Sequence, residues 1–176
     1  MRSGLLTNLP NLISLSRLLF SPLILLLSEK FLLFAFTLLA LSDALDGFLA
    51  RRLKAQTELG KVLDPLADKV MILFGLLVCV YKAERLPEWL FYMSLSRDVF
   101  LLIGASVLTV KIGKVPKSRP LGKAYTFFFS GLIVLCLYNF PVPWLHWFAV
   151  LLLFASWFDY TVTGFRILKS QTFSLS

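Results

Sequence analysis

Apolar residues along this chain come in long runs, not at the alternating period of a strand or the three-to-four spacing of a half-buried helix. Six segments can be drawn, at about residues 12–28, 31–51, 60–81, 88–110, 121–140 and 144–167. Each approaches the ~20 residues that a helix needs to cross ~30 Å of hydrocarbon. The first is short, and the amphipathic stretch Leu5–Leu15 is expected to extend it along the membrane surface. The links are brief: SEK, the RRLKAQTEL region, KAERLPE, KIGKVPKSR and PVP. None holds a soluble insert, so a site must be built from the helices. The pattern predicts an all-α integral membrane protein, with six transmembrane helices and a short N-terminal amphipathic segment, as one domain over residues 1–176.

Composition agrees. The chain is 58% hydrophobic and 16% charged, with a mean hydropathy of +0.80. Soluble domains are nearer 45–50% apolar and about 25% charged, and one this greasy would expose large sticky patches. The N-terminus has positive charge and an apolar run, as a signal peptide does. No small-residue cleavage site follows, so the segment is read as retained.

Charge sets the expected orientation. Arg2, Arg51, Arg52, Lys54, Lys61, Lys111, Lys114, Lys117, Arg119, Lys123, Arg166 and Lys169 would share one side, leaving Lys30, Lys82 and Arg85 on the other. The richer side is expected to be cytoplasmic, with both termini there, in a cell inner membrane or its equivalent. The net charge of +8 then needs no nucleic acid. Cys79 and Cys136 lie in apolar runs without CxxC or Cys/His neighbours and are read as packing residues. The single histidine, His146, is read as interfacial.

Chemistry therefore falls to the carboxylates. Of six aspartates, Asp43, Asp46, Asp64 and Asp68 fall within 26 residues. Asp43 and Asp46 lie roughly 8–12 Å below the inner face on the way in; Asp64 and Asp68 lie about 6–12 Å deep on the way out. Each pair shares a helix face, at i,i+3 and i,i+4. Gly47, Ala50 and Gly60 extend those faces with small residues that permit close approach. Unpaired charge in lipid costs several kcal/mol, so these acids must line a wet cavity, pair, or bind cations. An all-oxygen donor set suits Mg²⁺ or Mn²⁺ rather than zinc. Two ions about 3.5–4 Å apart would clamp phosphate. The alternative is a structural network with Arg51, Arg52 and Lys69.

The run Asp43-xx-Asp46-Gly47-xx-Ala50-Arg51, then eight residues, then Gly60-xxx-Asp64-xxx-Asp68 resembles the CDP-alcohol phosphotransferase signature DxxDGxxAR(x)8GxxxDxxxD. The resemblance implies a six-helix enzyme, usually a homodimer, with its site open to the cytoplasm. Such enzymes transfer a substituted phosphate from a CDP-linked donor to an alcohol and release CMP. It further implies that Asp43, Asp46 and Asp64 hold one metal ion, with Asp43, Asp64 and Asp68 toward a second. Asp68 would be the general base. Asp46, Gly47, Ala50, Arg51 and Gly60 would form the CDP pocket.

A site buried in the membrane suits a lipid donor, CDP-diacylglycerol. For an anionic acceptor the candidates are Arg97, Arg119, Lys123 and Arg166. Arg97 is equally well read as paired with Asp98 or Asp159. The opening LPNLISLSRLLFSP, with Asn11 and Arg17, resembles phosphatidylglycerophosphate synthases and implies glycerol 3-phosphate as acceptor. The SRDV and PLGKAYTFF stretches resemble cardiolipin synthases of the same family, whose acceptor is phosphatidylglycerol. Inositol phosphate is a third reading. A cation transporter would need carboxylates near the midplane and paths to both faces, which this pattern lacks.

Overall fold

A computed structural model describes residues 2–53, 58–112, 119–140 and 143–172, with side chains at 11–42, 60, 63–110, 119–140 and 143–167. The described residues are helical, without strands. The main helices are α1 (Arg2–Phe20), α2 (Glu29–Leu53), α3 (Glu58–Leu77), α4 (Glu88–Ile112), α5 (Pro120–Leu137) and α6 (Pro143–Thr172). A 3-10 turn, Pro22–Leu26, follows α1, and a π turn, Val78–Lys82, ends α3. Glu29 and Glu88 open their helices where the amide dipoles favour negative charge, and Pro120 and Pro143 occupy first positions that need no N–H donor.

The first apolar segment, expected over 12–28, is not one unbroken helix, and Leu5–Leu15 lies within the helix that begins it. One helix runs from Arg2 to Phe20, and the backbone then tightens at Pro22. Proline has no N–H to continue the helical ladder. Three described helices are long and apolar enough to cross a membrane: Glu88–Val110, Pro120–Leu137 and Pro143–Ile167. Apolar residues of the first helical stretch extend only over Asn11–Leu26. Lys61, Asp64, Asp68 and Lys69 interrupt α3, and the side chains of α2 are described only to Ser42.

The chain divides into two compact units. The first comprises Met1–Glu88 with Ser130–Pro141. Here α1 packs extensively along both α2 and α3, which touch each other much less among the described residues. Its core holds Leu32 and Phe36 of α2, Ala67, Met71, Ile72 and Leu76 of α3, and Leu132, Ile133 and Cys136 of α5. Gly75 permits the close approach: a Cβ there would overlap the Phe36 ring and lie 2.9 Å from Ile133 Cδ1. The stripe that α1 buries is polar, Ser14, Arg17 and Ser21, whereas its Leu12, Leu15, Leu19 and Phe20 are exposed. Polar groups inward and apolar groups outward is the arrangement that lipid selects.

Two of the three cations expected on the sparse side, Lys82 and Arg85, have local work in this unit. Lys82 Nζ donates to the carbonyls of Leu25, at 2.9 Å, and Leu27, closing the 3-10 turn. Arg85 donates to the Cys136 and Leu137 carbonyls at 3.0 and 3.2 Å. Those carbonyls lie in the last turn of α5, where cations also meet the negative end of the helix dipole. Asn139, at φ 64°, finishes α5 in a Schellman turn, with Phe140 N–H bonding the Leu135 carbonyl at 3.0 Å.

The second unit comprises Trp89–Phe129 with Val142–Ser176. It repeats the inversion: Ser94, Arg97, Asp98 and Ser156 are buried, while Ile103, Val110, Phe127, Leu151 and Phe158 are exposed. Aromatic contacts tie its helices, Phe100 to Trp157 at 5.5 Å and Phe128 to Phe148 at 4.8 Å between ring centres. Gly122 leaves room for Tyr160, whose hydroxyl lies 2.8 Å from where a Cβ would stand.

Candidate active site

Helix α3 carries Asp64 and Asp68 one turn apart, both partly exposed, with buried Gly60 a turn before them. Pro65 lies between the two acids and takes the Lys61 carbonyl out of the helix's own bonding. Across from this face stands α1. The Ser14 hydroxyl donates to Asp64 Oδ1 at 2.6 Å. Arg17 Nη2 lies 3.3 Å from Asp68 Oδ1, and its side chain is wholly buried while that of Asp68 is 25% exposed. One stripe of α1 therefore holds both acids.

The i,i+4 spacing of Asp64 and Asp68 puts them on one face of α3, as the sequence implies. Sequence reasoning missed their partners. The side chains of Arg51 and Arg52, two members of the alternative network, lie outside the described residues, and a cation that does stand beside Asp68 is Arg17. The available signal was the spacing Ser14-xx-Arg17-xxx-Ser21 in an otherwise apolar segment, three polar positions on one helical stripe.

The α2 backbone is helical through Asp43, Asp46, Gly47, Ala50 and Arg51. Their side chains lie outside the described residues, and so does the expected meeting of four carboxylates. Among the described residues no three metal-ligating acids, histidines or cysteines gather. Asp64 and Asp68 themselves fit a hard divalent cation: oxygen donors, one turn apart, on one partly accessible face. Such an ion would meet Asp64 already oriented by a hydroxyl and Asp68 already partnered by a guanidinium.

In the second unit, Arg97 of α4 is 2% exposed. Its Nη1 donates to Asp98 Oδ1 at 2.6 Å, and Nη2 donates to the Ser156 hydroxyl of α6. The guanidinium carbon lies 4.0 Å from the centre of the Tyr125 ring, a desolvated cation–π contact. Tyr125 is fixed in turn by a hydrogen bond shared with the Ser94 hydroxyl. Of the two ion pairs considered for Arg97, that with Asp98 forms. Asp159 is bound instead by Arg119 in a bidentate fork, Nε to Oδ2 at 2.5 Å and Nη2 to Oδ1 at 2.6 Å. These bonds raise the Arg119 guanidinium above its ordinary pKa, so it stays charged at any working pH. Lys123 and Arg166 are exposed. Of the four acceptor candidates, Arg97 and Arg119 are thus engaged with acids.

Sequence comparison gives this geometry a context. The family described as CDP-alcohol phosphatidyltransferase matches residues 7–155. The chain belongs to that family. The match takes in the α1 stripe, the whole signature and Arg97, and it stops just short of Ser156 and Asp159. Among curated relatives, a CDP-diacylglycerol–glycerol-3-phosphate 3-phosphatidyltransferase of Aquifex aeolicus is 41% identical over 93% of this chain and 99% of its own length. A Bacillus subtilis protein of the same description is 32% identical over 74% of this chain and 68% of its own. A cardiolipin synthase (CMP-forming) of Rattus norvegicus is 42% identical, over 66% of this chain and 39% of its own length. As a member of the CDP-alcohol phosphatidyltransferase family, the chain is a transferase of phospholipid synthesis.

Proposed function

We propose that the chain transfers a phosphatidyl group from CDP-diacylglycerol to glycerol 3-phosphate, giving phosphatidylglycerophosphate and CMP. The observation that carries this reading is the face of α3 with Asp64 and Asp68, in a chain aligned over nearly all of its length with the Aquifex transferase. In this reading all six apolar segments cross the membrane as one domain. Both termini and the site face the cytoplasm, and the working form is a homodimer.

The acceptor hydroxyl gives its proton to Asp68 as its oxygen attacks the phosphatidyl phosphorus. The phosphorus–oxygen bond to CMP breaks in the same displacement, and CMP departs. Asp43, Asp46, Asp64 and Asp68 would hold Mg²⁺ or Mn²⁺, which when bound spreads the pyrophosphate charge and improves the leaving group. Asp46, Gly47, Ala50, Arg51 and Gly60 would seat the CDP moiety; small residues admit it and an arginine fork suits its phosphates. Ser14 holds Asp64 in place. Positioning and electrostatics carry most of such phosphoryl chemistry.

The rat relative supports a second reading, with phosphatidylglycerol as acceptor. The test is CMP release from CDP-diacylglycerol by the purified chain with Mg²⁺, against glycerol 3-phosphate, phosphatidylglycerol, inositol phosphate, inositol and serine. Turnover with glycerol 3-phosphate alone is expected. Turnover with phosphatidylglycerol alone would move the chain to the second reading, and no release with any acceptor would sink the donor assignment.

A further inference from the structure

We propose that Arg17 is the positioning residue of the Asp68 carboxylate. This deepens the phosphatidyltransferase reading and rests on it. The Arg17 side chain is sealed at 0% exposure and the Asp68 side chain is 25% exposed, so the pair runs from the closed interior to the accessible face of α3. The base of that arm is fixed as well. Both the N–H and the hydroxyl of Ser21 bond the Arg17 carbonyl, at 2.9 and 2.6 Å, where α1 gives way to Pro22. The Ser14 bond to Asp64, one turn earlier on the same stripe, ties the two helices at a second point.

An arginine suits this task. Its planar fork orients a carboxylate as well as attracting it, and its charge does not depend on pH. At 3.3 Å it is an ion pair looser than the 2.5–2.6 Å fork that Arg119 makes with Asp159. The need is mutual, since removing either member takes compensation from a charge the other holds in an apolar surround. A catalytic group displaced by about 1 Å loses roughly a hundredfold in rate. A base that acts on an acceptor hydroxyl should feel the loss of Arg17 in turnover rather than in donor binding.

The test is a cycle of Arg17→Gln, Asp68→Asn and the double variant in the full chain. Each is read by CMP release with Mg²⁺ and by thermal melting in chelator. Arg17→Gln should lower kcat about a hundredfold while KM for CDP-diacylglycerol moves less than about threefold. The double variant should be no slower than Asp68→Asn, because Arg17 acts through that carboxylate. In chelator, Arg17→Gln should melt below the parent chain, and the double variant, which removes both charges, should recover.

Unchanged kcat in Arg17→Gln overturns the proposal. So does a double variant slowed below Asp68→Asn by the full factor, or one that melts as low as Arg17→Gln. If Arg17→Gln does not fold, the double variant decides: folding at the Asp68→Asn rate supports the proposal, and failure to fold overturns it. A parent chain that releases no CMP removes the phosphatidyltransferase reading. The melting cycle then still decides whether Arg17 acts on Asp68.

Discussion

In the unit built on α1, α2 and α3, the described acids keep some access to their surroundings. Asp64 takes a neutral serine hydroxyl, and Asp68 stands 3.3 Å from its arginine. In the unit built on α4, the start of α5 and α6, both aspartates are closed by arginines. Arg97 bonds Asp98 at 2.6 Å, and Arg119 grips Asp159 with two bonds of 2.5 and 2.6 Å. Both units turn polar groups inward and apolar groups outward, yet they use their charges differently. Where acid and base match bidentately, the charge is consumed in holding helices together. Where an acid takes a hydroxyl or a looser cation and stays partly exposed, it keeps a face for a metal ion or a proton. The four described aspartates thus divide by partner and geometry.

The sharpest way to break that contrast is to neutralise one acid from each unit. Asp68→Asn should cut CMP release by about 10²–10⁴-fold, the usual contribution of a positioned base, in a chain that still folds but melts lower because the buried Arg17 has lost this carboxylate. A variant that keeps normal turnover would return Asp68 to a structural role. Chelation of Mg²⁺ and Mn²⁺ should abolish release in the parent chain, and either ion should restore it. Activity that survives chelation would leave the α3 acids without the role proposed for them.

Arg97→Ala attacks the closed pair. It removes the guanidinium from the Tyr125 ring and leaves Asp98 uncompensated, so stability should fall by about 3–5 kcal/mol, read as a lower melting temperature. Gly75→Ala tests packing in the first unit without touching charge. Its methyl group must displace Phe36 or Ile133, at a cost of about 1–3 kcal/mol. The smallest effect belongs to Asp159→Asn. The Arg119 side chain is 36% exposed, so solvent screens even this bidentate pair, and release should change by less than about fivefold. A loss as large as that of Asp68→Asn would erase the distinction between the units.

Much of this was legible in the chain. Helix positions followed from apolar runs, because length and hydropathy are local properties. The shared face of Asp64 and Asp68 followed from one-turn spacing. The break after Phe20 was missed because an apolar run hides what Pro22 does to the backbone. Arg17 as the partner of Asp68 was missed for another reason. The depth argument joined α2 and α3 directly, whereas among the described residues α1 packs more extensively on each of them than they do on one another. Which arginine finds Asp159 depends on packing between helices distant in sequence, and spacing along the chain carries no such information.

The most direct test of the account supplies the purified chain with CDP-diacylglycerol, Mg²⁺ and labelled glycerol 3-phosphate. CMP release and label entering lipid are measured together. Equal amounts of CMP and labelled lipid, both lost in Asp68→Asn, are the predicted result. A folded chain that releases no CMP, or an Asp68→Asn variant that matches the parent, would contradict it.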